Sequence, residues 1–177
     1  MEYTILRHGK RKRLLITVNP MGEVVVKAGK FTSEKTIDAF VNQEKDWIEK
    51  QKKYYAEKYH HRIDVKKEDI PTIKKQLLPQ MEFLVNKYSQ IMKVTPSKVK
   101  ITSAEKRWGS CNSNKTVCFS YRAVFLSQKC KEYLVIHELS HLTHMNHSKD
   151  FYSEIEKYMS DYKVAEKELD GYFIRTI

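Results

Sequence analysis

Short apolar stretches open the chain. Residues 3–6, 14–18 and 24–28 are rich in β-branched side chains, and Asn19-Pro20-Met21-Gly22 between the last two carries hairpin chemistry. The pattern predicts a small antiparallel sheet. From about Ser33 the period changes. Ile37, Phe40, Val41, Trp47, Ile48, Gln51 and Tyr55 recur at three- and four-residue steps, and Ser33 suits an N-cap. One helix to about Tyr59 is expected. Residues 65–69 are charged and read as a connection. Pro71 can open a second helical region through Ile73, Leu77, Met81, Leu84, Val85, Tyr88 and Met92, with a kink or split expected at Pro79. Thr95-Pro96 ends it. Residues 99–102 then read as a strand, and 107–111 with 116–121 as a hairpin around Asn112-Ser113-Asn114. Ser127 can cap a helix from Gln128 to about Met145. A last amphipathic helix follows Ser148, with Phe151, Ile155 and Met159 on one face. The succession predicts an α+β chain: residues 1–64 an N-terminal β-sheet with a long helix region, and 65–177 the core that carries the chemistry.

Composition narrows the class. With 177 residues and 41% hydrophobic content, the chain can bury a core of one domain or one domain with an appendage. No apolar run approaches the roughly 18 residues of a membrane span, so no membrane partner is expected. Residues 1–12 lack the features of a secretory signal. Cys111, Cys118 and Cys130 are odd in number and show no C-x-x-C spacing. A disulfide framework is therefore not expected, and a reducing, cytoplasmic setting is. The formal net charge of +11 favours anionic partners such as nucleic acid, nucleotides or acidic protein surfaces. Pairs such as Lys52-Lys53, Lys66-Lys67 and Lys74-Lys75 are scattered, and they serve equally well to keep a surface solvated.

The run with most chemistry is His137-Glu138-Leu139-Ser140-His141, an H-E-x-x-H on a predicted helix. Four residues advance a helix by about 400°, so both imidazoles project from one face. That separation lets two ring nitrogens reach one zinc ion. Glu138 points to a neighbouring direction, where its carboxylate can take a proton from the attacking water without ligating the metal. A catalytic zinc wants a third protein ligand and an open fourth position. His144 and His147 both follow. His144 would reach the metal only from an undistorted helix. His147 lies past Asn146, a residue able to end a helix in the left-handed conformation, and is preferred. The step from His141 to His147 reproduces the metzincin ligand spacing. Metzincins, however, place Gly where His144 stands, and no Met-turn follows here. A downstream carboxylate, Glu154, is the remaining alternative.

Further motifs follow in order. Arg107-Trp108-Gly109-Ser110-Cys111 precedes Ser120-Tyr121-Arg122; Tyr133-Leu134-Val135-Ile136 leads into the H-E-x-x-H run, and Asn146-His147-Ser148-Lys149-Asp150-Phe151 closes the set. Together they resemble the bacterial YgjP-like metallopeptidases, relatives of the SprT-like and WLM zincins. Arg11-Lys12-Arg13 and Gly22-Glu23-Val24-Val25-Val26 are similar as well, so the resemblance covers nearly the whole chain. It implies a minimal zincin-like core, a small antiparallel or mixed sheet packed on the H-E-x-x-H helix, joined to the N-terminal sheet and helices. It also implies one Zn2+ per chain, held by His137, His141 and His147, with Glu138 as catalytic base. The 107–111 segment is expected to form a strand beside the metal, where an extended peptide can add. Trp108, Gly109 and Ser110 are then candidate substrate contacts, although Trp108 equally suits a buried aromatic. Arg122 is a candidate for stabilising transition-state charge, or else an ion pair holding the fold; Tyr162 is a second candidate for the charge-stabilising role. The chain departs from the family at Tyr152, where Trp is expected, and at Ser160-Asp161-Tyr162, where Pro often precedes Asp-Tyr. These departures touch packing and substrate contacts.

Three functions compete. The leading one is a zinc metallopeptidase that hydrolyses peptide or protein substrates with a water activated by zinc and Glu138. A metal-dependent nucleotide phosphohydrolase of the pyrophosphatase type would suit the basic charge, but no G-x-x-x-x-G-K loop is present. A nucleic-acid-associated module with structural zinc would use Lys and Arg for phosphate contacts. Such a module has no need of Glu138. Oligomeric state is not legible in the sequence.

Overall fold

β-Branched runs become strands here where one face can be buried. The computed structural model describes residues 1–177 and divides into two units, Met1–Arg62 with Gly171–Phe173 and Ile63–Asp170 with Ile174–Ile177. In the first unit, β1 (Thr4–His8), β2 (Leu15–Val18) and β3 (Val24–Gly29) form a sheet in the order β1-β3-β2. β2 and β3 are the expected hairpin. Asn19 Oδ1 accepts from the backbone of Met21 and Glu23 at 3.0 Å each. Gly22 supplies the positive φ of 82° that the turn requires. β1 departs from the antiparallel expectation and pairs parallel with β3, from Thr4↔Val25 to His8↔Gly29. β3 inserts between β1 and β2, so β1 runs opposite to β2 without touching it.

The inner face of this sheet presents Ile16, Val18, Val24, Val26 and Ala28, which pack with Ile37, Val41 and Ile48. Those three come from α1 (Glu34–Gln43), capped by Ser33 Oγ on the Thr36 amide, and α2 (Lys45–Lys58). The single helix expected here is thus two. Only Glu44 leaves helical dihedrals, and its amide and carbonyl still bond Phe40 and Ile48. With neither glycine nor proline at the break, the apolar period crosses it unmarked. A two-stranded ladder of β4 (His61–Val65) and β8 (Tyr172–Thr176) was not foreseen either. β4 is polar in sequence, and a bidentate pair of Arg175 with Asp64 at 2.9 and 3.0 Å supports it.

The second unit holds the chemistry. α3 (Ile70–Met92) runs without the split expected at Pro79 and buries Leu77, Met81, Leu84, Val85, Tyr88 and Met92 along one stripe. Pro79 and Lys75 are both exposed, so water can satisfy the carbonyl that lacks a proline N–H. β5 (Lys98–Thr102), β6 (Gly109–Cys111) and β7 (Thr116–Ser120) form a mixed sheet in the order β5-β7-β6. The β5–β7 pair is parallel and β6–β7 antiparallel, which leaves β6 at the edge. α4 (Gln128–Ser140) packs against α3, β6, α5 (Lys149–Tyr158) and α6 (Tyr162–Asp170). From Tyr133 to Ser140 every residue but His137 is buried, because neighbours cover that stretch on nearly all sides. The fold is α+β; in the second unit a small mixed sheet and helices pack around the H-E-x-x-H helix. No helix is long and apolar enough to cross a membrane.

Proline in an exposed helix interior costs up to about 3 kcal/mol relative to alanine. Pro79→Ala is expected to stabilise the chain by about 1–2 kcal/mol, read as a higher urea midpoint, after the greater freedom of the unfolded variant is subtracted. A lower midpoint would mean that the proline bends α3 into its packing.

Candidate metal centre

α4 stops at Ser140, five residues before the expected end. Ser140 Oγ bonds back to the Ile136 carbonyl at 2.9 Å. The chain then tightens, with Leu142 and Thr143 amides reaching the carbonyls three residues behind them. Asn146 does not take the left-handed conformation; the only residues other than glycine with positive φ are Lys93 and Lys115. This tight turn, followed by the Ser148 cap of α5, returns His147 to the helix it left. One ligand atom each from His137, His141 and His147 lies within 4.8 Å of the others. The three rings sit around Phe151, fully buried, at centroid distances of 4.9, 4.6 and 4.8 Å.

These imidazoles fit a metal ion. Nε2 of His137 and Nε2 of His147 face each other at 3.2 Å. Two nitrogens bound at about 2.0–2.1 Å to one tetrahedral zinc would stand roughly 3.3 Å apart. His141 Nδ1 is 3.1 Å from the His144 carbonyl, a bond that fixes its N–H there and leaves Nε2 as the donor atom. His137 Nδ1 lies 3.5 Å from Tyr133 Oη, which donates to Glu166 at 3.2 Å. Burial, with His141 and His147 adding to it, pushes His137 down to about 3. It is therefore held neutral, the form that binds metals. His144 contributes its backbone carbonyl to the site.

Glu138 is 4% exposed, and its Oε2 has no hydrogen-bond partner. Burial pushes its carboxyl up to about 8, against the pull of Arg107. Its side chain crosses directly over Gly109 at the start of β6. A Cβ there would stand 2.8 Å from Glu138 Cγ and Cδ, so only glycine lets strand and carboxylate approach so closely. An orphaned buried carboxylate oxygen beside three converging imidazoles is the donor arrangement of a hydrolytic metal site.

A profile described as "YgjP-like, metallopeptidase domain" matches residues 12–74 and 65–172, most of the chain. The chain belongs to the YgjP-like metallopeptidase family. Two solved structures are similar in part: the metallopeptidase zymogen of Pyrococcus abyssi abylysin and that of Methanocaldococcus jannaschii jannalysin. Each is 23% identical over 50% of this chain and 90% of its own, with TM-scores of 0.47 and 0.44. Among curated proteins, none matches the chain.

Two hollows flank Glu138 in this YgjP-like chain. One, of about 310 Å³, is bounded by the three histidines, Ser110, Cys111 and Met145. The other, of about 270 Å³, lies between Trp108 and α6. Arg107, Gly109, His137 and Glu138 line both. Trp108 and Ser110 thus stand on opposite sides of the base. Trp108 is half-buried, and the Arg122 guanidinium lies over its ring at 4.5 Å. Arg122 is itself buried, donates to the Glu105 carbonyl and lines neither hollow; burial holds its pKa below the usual range. Tyr162 also lines neither. Its ring stacks between Tyr133 and Tyr152, at 6.3 and 6.1 Å. Sequence reasoning did not single out Phe151, Tyr133, Glu166 or Arg107 as parts of the site. Phe151, Tyr133 and Arg107 lay inside quoted motifs, whereas Glu166 gave no signal.

Zinc titration with calorimetry should find one ion per chain. His147→Ala is expected to weaken zinc at least about a hundredfold, because it removes a ligand outright. His144→Ala, which keeps the backbone carbonyl, should change affinity by no more than about threefold. The reverse ranking would make His144 the ligand.

Proposed function

We propose that this YgjP-like chain is a zinc-dependent peptidase, with zinc held by His137, His141 and His147 and Glu138 as general base. The observation that carries this reading is the buried Glu138 carboxylate, its Oε2 without a partner, one residue from the first of three converging imidazoles. Zinc in this donor set would act as a Lewis acid, polarising the scissile carbonyl and acidifying water. Glu138 accepts the proton of the attacking water and passes it to the leaving amine nitrogen. Gly109 holds that carboxylate close to the edge of the sheet. Phe151 keeps the three rings in place from below, and Tyr133 with Glu166 orients His137 through Nδ1. β6 has one unpaired edge, along which an extended peptide can align with its backbone in register. Arg122 acts by holding Trp108 and the 104–108 turn.

Hydrolysis of nucleotides by the same centre is the second reading. The net charge of +11 and the presence of Arg107 in both hollows favour it. A nucleic-acid-associated module with structural zinc would leave Glu138 without a task.

The zinc-loaded chain and its Glu138→Gln variant should each meet a mixed peptide library and a panel of nucleoside triphosphates, with products read by mass spectrometry. Cleaved peptides from the wild type, reduced at least about a thousandfold in the variant, are the expected outcome. Nucleotide products alone would move the chemistry to phosphorus, and equal products from both proteins would remove Glu138 from its role. Gly109→Ala provides a second check. It should keep zinc affinity within a few-fold while lowering kcat about a hundredfold, since a displacement of about 1 Å can cost that much. Unchanged kcat would show that the base tolerates displacement.

A further inference from the structure

The hollow between Trp108 and α6 differs in chemistry from the rest of the molecule. Trp108, Leu134 and Leu169 give it an apolar lining, the two leucines 4% and 7% exposed. Its rim is acidic. Glu166 and Asp170 are exposed, stand one turn apart on α6, and therefore share a helix face. No ion pair neutralises either. In a chain of net charge +11, two unpaired carboxylates beside one hollow run against the general balance. A second observation ties the hollow to the reacting position. The buried Glu138, whose Oε2 has no partner, lines it together with His137. A group in this hollow therefore belongs to a residue close to the bond being broken.

Apolar walls with an anionic rim complement an amphipathic cation. Lysine and arginine side chains lay their methylene stems on apolar surface and keep the charged head at the solvent edge. An acidic side chain would meet Glu166 and Asp170 as like charges, and a phosphate would fare worse. Arg107 is the one permanent cation on the lining; it also lines the second hollow, and its charge acts on Glu138. We infer that the Trp108–α6 hollow is the specificity subsite of this peptidase and takes a lysine or arginine side chain flanking the scissile bond. The inference rests on the peptidase reading above. It assigns Leu169 and Asp170, which no motif marked, to substrate recognition, and gives Glu166 a second role beside its bond to Tyr133.

The test compares peptides that differ only in charge. Pairs carrying lysine or Nε-acetyl-lysine at each position flanking the cleaved bond have the same stem with and without the cation. With the zinc-loaded full chain, the kcat/KM ratio of lysine to acetyl-lysine peptide should reach about tenfold at one flanking position. Asp170→Lys should bring that ratio to one or below and raise cleavage of the glutamate peptide relative to the lysine peptide. Asp170→Asn, with its shape kept, should fall between. Each ratio is taken within one protein, so a general loss of activity or partial folding cancels. Ratios near one at every position in the wild type, or a tenfold ratio unmoved by Asp170→Lys, would overturn the subsite and leave the peptidase standing. No cleavage of any peptide by the wild type would overturn both.

Discussion

Two imidazole nitrogens from residues ten apart in the chain face each other at 3.2 Å, and burial holds the His137 ring neutral. A neutral imidazole pair can share one N–H at this distance, and a metal cation can take the place of that proton. Much of the surrounding structure exists to permit this contact. α4 must end at Ser140, the next residues must tighten, and α5 must start at Ser148 so that Phe151 lies beneath all three rings. Lengthen α4 by one turn, as the apolar pattern alone suggested, and His147 would be carried away from His137. The helix end is thus as much a part of the centre as the ligands.

A second close approach fixes the base. Glu138 occupies the space that a side chain at position 109 would need, so at this point only its own side chain separates α4 from β6. The carboxylate consequently lies out of water with one oxygen unpartnered. An isolated buried polar group of this kind is destabilising, and its retention fits a group kept for chemistry. The hollows on either side differ in character: histidines, Ser110 and Cys111 line one, and aromatic and aliphatic walls with an acidic rim make the other. Burial raises the Cys111 thiol above its ordinary pKa, with Glu138 reinforcing the effect. It stays protonated there and is a poor rival to the imidazoles as a metal ligand.

The convergence of His137, His141 and His147, with Glu138 beside them, was legible in the sequence because their spacing is itself the geometry of a helix followed by a turn. The family resemblance added the segment around Gly109. What could not be read is what depends on contacts between distant segments. Glu166 meets Tyr133 across the packing of α6 on α4, and no periodicity announces such a meeting. The parallel pairing of β1 with β3 was hidden because strand patterns specify faces and leave neighbours open. The break at Glu44 and the continuity through Pro79 both ran against local expectation. The first lacked a breaker, and the second kept its orphaned carbonyl in solvent. Asn146 pointed to a turn that exists but is made by other residues.

The tight segment between α4 and α5 also bears on how the centre assembles. His137 and His147 enclose a loop of only ten residues, whereas Gly109 and Glu138 meet across twenty-nine, counted as 138 minus 109. Loop-closure entropy makes the second meeting costlier by about 1 kcal/mol, before any sheet has to form. The three histidines therefore belong to a stretch whose own closure costs less, while Glu138 reaches its place only when β6 is formed. A chain caught between these stages would have its imidazoles gathered and the Glu138 carboxylate still in water.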